Sequence, residues 1–314
     1  MINTRLFLST ILLVVLSAGC VVSPDMEEKP PELGDRLLQQ GRRYLMNDEY
    51  LNAIARFNQA LVYYEGLDNR TGVAYCHLGH VEATIALGKI DVAKQHLRIL
   101  YSMEDNGKID HFNDRVTMLD VKIKYLCGMY DDALEKLEPL LPEFDDLGRL
   151  SQKTDTQTLN VIASRTLLAF ETDIEQAKLW TNQYEEALDS YGQDSPSHSA
   201  SLERFHAKIL IHQKDYTQAE RLLDKALGTY KENRDRRSIA ATLRELGLLK
   251  IEQKQWEVAN DLLLRALKIR TLILDRLGTS ILLKDLIAMN EKLGNENQVK
   301  RYQEMLLEIS QNPE

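Results

Sequence analysis

Small and apolar residues return along this chain with a fixed long period. Ala53, Ala93 and Ala133 are 40 residues apart, and so are Ala219, Ala259 and Val299; Ala177 lies between the two runs at intervals of 44 and 42. Each sits in the same local frame. Three residues earlier stand Tyr50, Ile90, Tyr130, Ile174, Tyr216, Trp256 and Glu296. Four residues later stand Phe57, Leu97, Leu137, Thr181, Leu223, Leu263 and Gln303. Apolar positions three and four apart predict amphipathic helices, and no stretch alternates with the period of two that a strand requires. Each unit is broken once by a turn, as at 46–48 in the first, between the run through Leu45 and the run from Tyr50. The predicted elements are pairs of antiparallel helices, and the fold class is all-α.

A period of roughly 20–50 residues marks a stacked array whose units bury their apolar faces against their neighbours. Where two helices cross at about 8–10 Å, the closest position admits only a small side chain, which accounts for the alanine. The large residues three before and four after it lie on the same face and fill the space beside it. The array is expected over 35–310 as about seven units. Thr181 and Tyr184 replace the usual apolar and small residues, and the loop signal of 192–197 follows, so an irregular unit is expected near 157–198. Glu296 and Gln303 are polar where other units are apolar, as a terminal cap near 280–310 requires.

Gly41, Tyr44, Ala53, Phe57 and Ala60 follow, position for position, the pattern of the tetratricopeptide repeat, which this chain resembles. Gly247, Ala259 and Ala266 match it again, as do Ala207, Tyr216, Ala219 and Ala226. The period here exceeds the usual repeat of about 34 residues, so the helices should be about a turn longer. The resemblance implies a right-handed solenoid of helix-turn-helix units, with the first helix of each unit lining a concave groove. It also implies a non-enzymatic role in holding partners.

Residues 1–19 read as a targeting segment and leave the fold argument. Arg5 precedes the apolar run 6–16, which is shorter than the roughly 20 residues of a spanning helix. The stretch 16–20 resembles the lipobox of bacterial lipoproteins, with Cys20 as the lipidated residue, although Ser17 stands where the family places leucine. By that resemblance, Val21 in place of aspartate implies the outer membrane, facing the periplasm. Residues 20–34 then form a short proline-bearing tether of at most about 45 Å.

Composition removes other classes. A net charge of -9 argues against general nucleic-acid binding. No zinc helix, phosphate loop, nucleophile elbow or paired CxxC occurs, so neither an enzyme, a metal nor a cofactor is expected. His77 and His80, with Glu82 nearby, are too few to hold zinc and read as surface histidines. Tyr63–Tyr64 and the Trp180/Tyr184 pair read as core, and Asp131–Asp132 and Glu185–Glu186 as solvated helix starts. Cys76 and Cys127 are offset by roughly 16 Å along neighbouring helices, too far for a disulfide, and read as two buried thiols.

One constellation concerns binding. Fifteen residues before the repeating alanine stand Leu38, Leu78, Met118, Ile162, Arg204, Arg244 and Lys284. Arg115, Lys122 and Lys208 fall at other positions expected on the same groove. One reading is a surface apolar at its start and basic at its end, holding an acidic segment or a terminal carboxylate of a protein partner. The other pairs these cations with glutamates such as Glu203 and Glu245, leaving no ligand role. The function expected is a membrane-anchored interaction scaffold of an envelope assembly, with a docking regulator of a cell-wall synthase or hydrolase as the alternative.

Overall fold

The computed structural model describes residues 32–103, 111–145, 150–151, 154–192 and 194–311. The expected signal segment, Cys20 and most of the tether lie outside them. Among the described residues there are seven helix pairs and no strand. The first three pairs are α1 (Leu33–Met46) and α2 (Tyr50–Gly66), α3 (Arg70–Ala86) and α4 (Ile90–Ser102), and α5 (Phe112–Leu126) and α6 (Tyr130–Leu137). A 3-10 turn, Glu138–Leu140, and an isolated bridge between Phe144 and Leu150 follow. The remaining pairs are α7 (Thr156–Thr172) and α8 (Ile174–Tyr191), α9 (Pro196–His212) and α10 (Tyr216–Glu232), α11 (Arg236–Glu252) and α12 (Trp256–Leu272), and α13 (Arg276–Lys292) and α14 (Glu296–Gln311). The chain is an all-α, tetratricopeptide-like solenoid.

The sequence period maps directly onto packing. Ala53, Ala93, Ala133, Ala177, Ala219 and Ala259 are all completely buried. Phe57, four residues after the first of them, is also completely buried and lies between two glycines. A Cβ added at Gly41 would stand 2.5 Å from its ring, and one at Gly79 in the next unit 2.4 Å. The missing side chains are what let α1 and α3 close on the same ring.

The turns share a backbone signature. Asp48, Gly88, Gly128, Lys214, Lys254 and Gly294 have φ between 59° and 73° and sit five residues before the alanine or its equivalent. Unit four lacks this turn. There α7 runs on to Thr172, Asp173 is extended with φ of -154°, and α8 starts at once. Its two unusual residues are both satisfied: Thr181 donates to the Ala177 carbonyl at 2.7 Å within α8, and the Tyr184 hydroxyl lies 2.5 Å from His198 Nδ1 of α9, in the next unit. Both side chains are completely buried. At the other end, Glu296 and Gln303 are exposed on α14.

Three sequence expectations are corrected. His77 and His80 are not surface residues; they are 5% and 2% exposed, because α4 packs over that face of α3. Cys76 is buried but Cys127 is exposed, because it falls in the turn after α5; both are free thiols. Glu185 and Glu186 are mid-helix in α8, whereas Asp131 and Asp132 do stand in the first turn of α6.

The solenoid also bends round far enough for distant units to meet. The α1–α2 and α3–α4 turns touch the first turns of α11 and α13: Arg236 bonds to Asp48, and a Cβ at Gly88 would come within 3.1 Å of Arg276 Cβ.

Candidate partner groove

The basic strip is largely paired within the chain. Arg204 of α9 donates from Nε to Glu245 Oε2 at 2.8 Å and from Nη2 to Oε1 at 2.7 Å. Arg244 of α11 makes the same fork to Asp285 of α13, one bond being 3.1 Å. Each cation therefore reaches the carboxylate 41 residues on, one position further along the next unit. Lys208 Nζ stands 3.8 Å from Glu245 Oε1 and 5.1 Å from the Phe170 ring centroid. Burial pushes the Glu245 carboxyl up, but Arg204, Lys208 and Arg244 outweigh it and hold it below its ordinary value. Lys284, the third member of the strip, is exposed, and among the described residues it has no ionic partner.

The apolar members divide. Leu38 and Leu78 are 7% and 1% exposed and belong to the cores of units one and two, so they offer a partner no surface. They face the second helices, not the groove. Met118 is half-buried and does line the concave side.

The concave side opens into a cavity of 740 Å³ between α5 and α7. Arg115, Met118, Lys122 and Tyr125 line it from α5, Gln157, Asn160 and Ser164 from α7, and Glu82 from α3. The structure thus brings Arg115, Met118 and Lys122 onto one wall; the α7 side was not expected from the sequence, because its polar residues follow no pattern shared with other units. Among the described residues Lys122 and Arg115 make no ion pair or hydrogen bond, though Arg115 lies 5.8 Å from the Tyr75 ring centroid. Lys122 is water-accessible yet enclosed by protein, and this partial loss of bulk water, together with Arg237, holds its ammonium below the usual value; Glu82 and Asp275 oppose the shift. Burial raises the Glu82 carboxyl against the pull of Lys122, Arg115 and Arg42. A second concave pocket of 450 Å³ includes Lys208, Arg244, Glu245 and Asp285, which are paired with one another or with Arg204, and also Lys292.

A histidine cluster, one member of which the sequence reading missed, lies between α3 and α4. His77 Nδ1 is 2.9 Å from His96 Nδ1, and the His80 and His96 rings stack at 4.5 Å with an interplanar angle of 5°. No group of described residues is arranged to hold a metal ion. Burial, with the neighbouring His96, lowers His77 to about 4 and His80 to about 3, so the cluster is neutral at pH 7.

A tetratricopeptide repeat family model matches residues 198–272, from the start of α9 through α12. No curated protein matches the chain. Among solved structures, a Rap protein complexed with competence and sporulation factor superposes with a TM-score of 0.58 at 14% identity, covering 90% of this chain and 77% of that one. The apo form of RapI gives 0.45 at 16% identity, over 88% of this chain and 76% of that one.

Proposed function

We propose that this tetratricopeptide-type repeat protein is a non-enzymatic scaffold that holds a protein partner in the cavity between α5 and α7. The observation that carries the reading is the pair of cations there. Arg115 and Lys122 face a 740 Å³ concave cavity and have no ionic partner among the described residues, whereas Arg204 and Arg244 are already forked onto carboxylates. Arginine and lysine beside Tyr125, Gln157 and Asn160 suit an acidic segment or a chain's terminal carboxylate, with Met118 for an apolar flank. A fold neighbour, the Rap protein, was solved with competence and sporulation factor, which supports the class of function. The lipobox-like sequence around Cys20 further supports a scaffold tethered by lipid to the bacterial envelope, at the outer membrane and facing the periplasm.

A photo-crosslinking residue at Ser164, on the cavity wall, tests the reading in intact cells, with Val62 on α2, 71% exposed, as the outward control. Capture of a protein from position 164 and its loss in a Lys122→Glu, Arg115→Glu background are expected. Equal capture from both positions, insensitive to those substitutions, counts against the groove. Replacing Cys20 with serine should release the chain from the membrane fraction; retention of a processed chain counts against the anchor.

A further inference from the structure

The contact that bends the solenoid onto itself is carried mainly by polar bonds, whereas polar pairs between successive units, such as Arg204–Glu245 and Arg244–Asp285, stand beside an apolar core. Successive units meet through fully buried alanines and large apolar side chains. The seam between the two ends is polar. Arg236 Nε donates to Asp48 Oδ2 at 3.0 Å, and its Nη2 donates to the Asn47 carbonyl. Arg237 Nε donates to the Tyr50 hydroxyl at 2.7 Å and Nη2 to the Ala86 carbonyl at 3.3 Å, and its guanidinium lies 4.8 Å from the Tyr50 ring centroid. Tyr50 in turn donates to Asp48. Beside these bonds the seam leaves a cavity of 330 Å³ lined by Leu51, Leu87, Leu274 and Ile309, so apolar surface from the two ends is brought near without being packed.

We infer that the solenoid is a latched ring: Arg236 and Arg237, set at the start of α11, clasp the α1–α2 and α3–α4 turns, and releasing them opens the ring without unfolding its units. Three features make the latch reversible. The Arg236 and Arg237 side chains are 47% and 28% exposed, so water and salt compete for their bonds. The unfilled cavity means that, apart from the approach of Gly88 to Arg276 and Leu277, little packing is lost on opening. Arg237 also shares the ring interior with Lys122 and Arg270, and each feels its positive charge, so like charges push against the closure. Both arginines are on the first turn of α11, which remains anchored by Asp235 accepting from Ser238 N at 3.0 Å. Loss of the clasp therefore leaves the helix intact.

The test needs no ligand, so its outcome is independent of the partner assignment. Spin labels at Ala55→Cys on α2 and Lys268→Cys on α12, both exposed, in a Cys127→Ser chain report the distance across the seam. The Arg236→Ser, Arg237→Ser pair should lengthen and broaden that distance by about 10 Å or more, the scale of one helix-to-helix spacing, with helicity unchanged. High salt should shift the unsubstituted chain the same way. If the pair fails to fold, Asp48→Asn, which removes the negative charge facing Arg236 and Arg237 and leaves both arginines, decides. A folded variant with an unchanged distance overturns the latch.

Discussion

Glu245 accepts both forked hydrogen bonds of Arg204 from the neighbouring repeat, at 2.7 and 2.8 Å. The pair is nearly dry: the two side chains are 18% and 9% exposed for Arg204 and Glu245. Removing one partner strands the other as a buried charge, so Glu245→Ala should destabilise the chain by about 3 kcal/mol. Substituting both, as Arg204→Met with Glu245→Leu, should recover most of that loss. Urea unfolding of the two variants measures the difference; equal losses would show that the pair itself, and not the stranded charge, sets the stability. Reversing Arg204 to glutamate is then unsuitable as a binding test, because it sets two carboxylates against each other between α9 and α11.

The histidine cluster predicts weakness in acid. Unfolded histidines take up protons from about pH 6.5 downward, while in the fold His77 and His80 resist protonation to about 4 and 3. The unfolded chain binds more protons throughout that window, so stability is complete above pH 6.5 and falls as pH drops towards 4. A loss on the order of 3 kcal/mol across the window is expected. His80→Leu should flatten the pH dependence of the urea midpoint; a slope equal to the parent's would remove the cluster as its cause.

Gly79 carries a prediction of the packing between units. A Cβ there meets Phe57 Cζ at 2.4 Å. Gly79→Ala should lower stability by about 2 kcal/mol through overpacking, and Phe57→Leu in the same chain should restore part of it. Thermal unfolding that shows no rescue would place the cost elsewhere.

The two glycine turns at Gly88 and Gly128 have the same φ of 73°, but a Cβ at Gly88 meets Arg276 and Leu277 while one at Gly128 meets open space. Gly128→Ala should therefore cost about 1 kcal/mol of backbone strain, and Gly88→Ala more. Only the latter should also alter the distance across the seam. Equal effects on stability and no change in distance would mean that the seam is looser than its geometry shows.

The stacking was legible in the sequence because each unit states it separately. The alanine register placed Arg204 and Arg244 on equivalent turns, and Glu245 was already a named partner for such cations. Asp285 was not, although it stands in the same relation to Arg244. His96 could not be found by spacing, since it meets His77 and His80 only through the way α4 lies on α3. Leu38 and Leu78 were misplaced for a similar reason: Arg204 and Arg244 hold the same register but are long enough to leave the core, whereas a leucine there stays in it. The seam was least legible of all. It depends on the summed rotation of several units, each too small to leave a mark on its own residues.

A simple stack has two ends, and an end can peel away unit by unit while the middle stays intact. In this chain the Arg237–Tyr50 contact gives the first pair of helices a neighbour from the sixth. While that bond holds, peeling must start by breaking a joint on both sides of a unit. Hydrogen exchange at α1 and α2 would then slow to the pace of the interior. One aromatic hydroxyl and one guanidinium thus turn the first, terminal unit into an internal one.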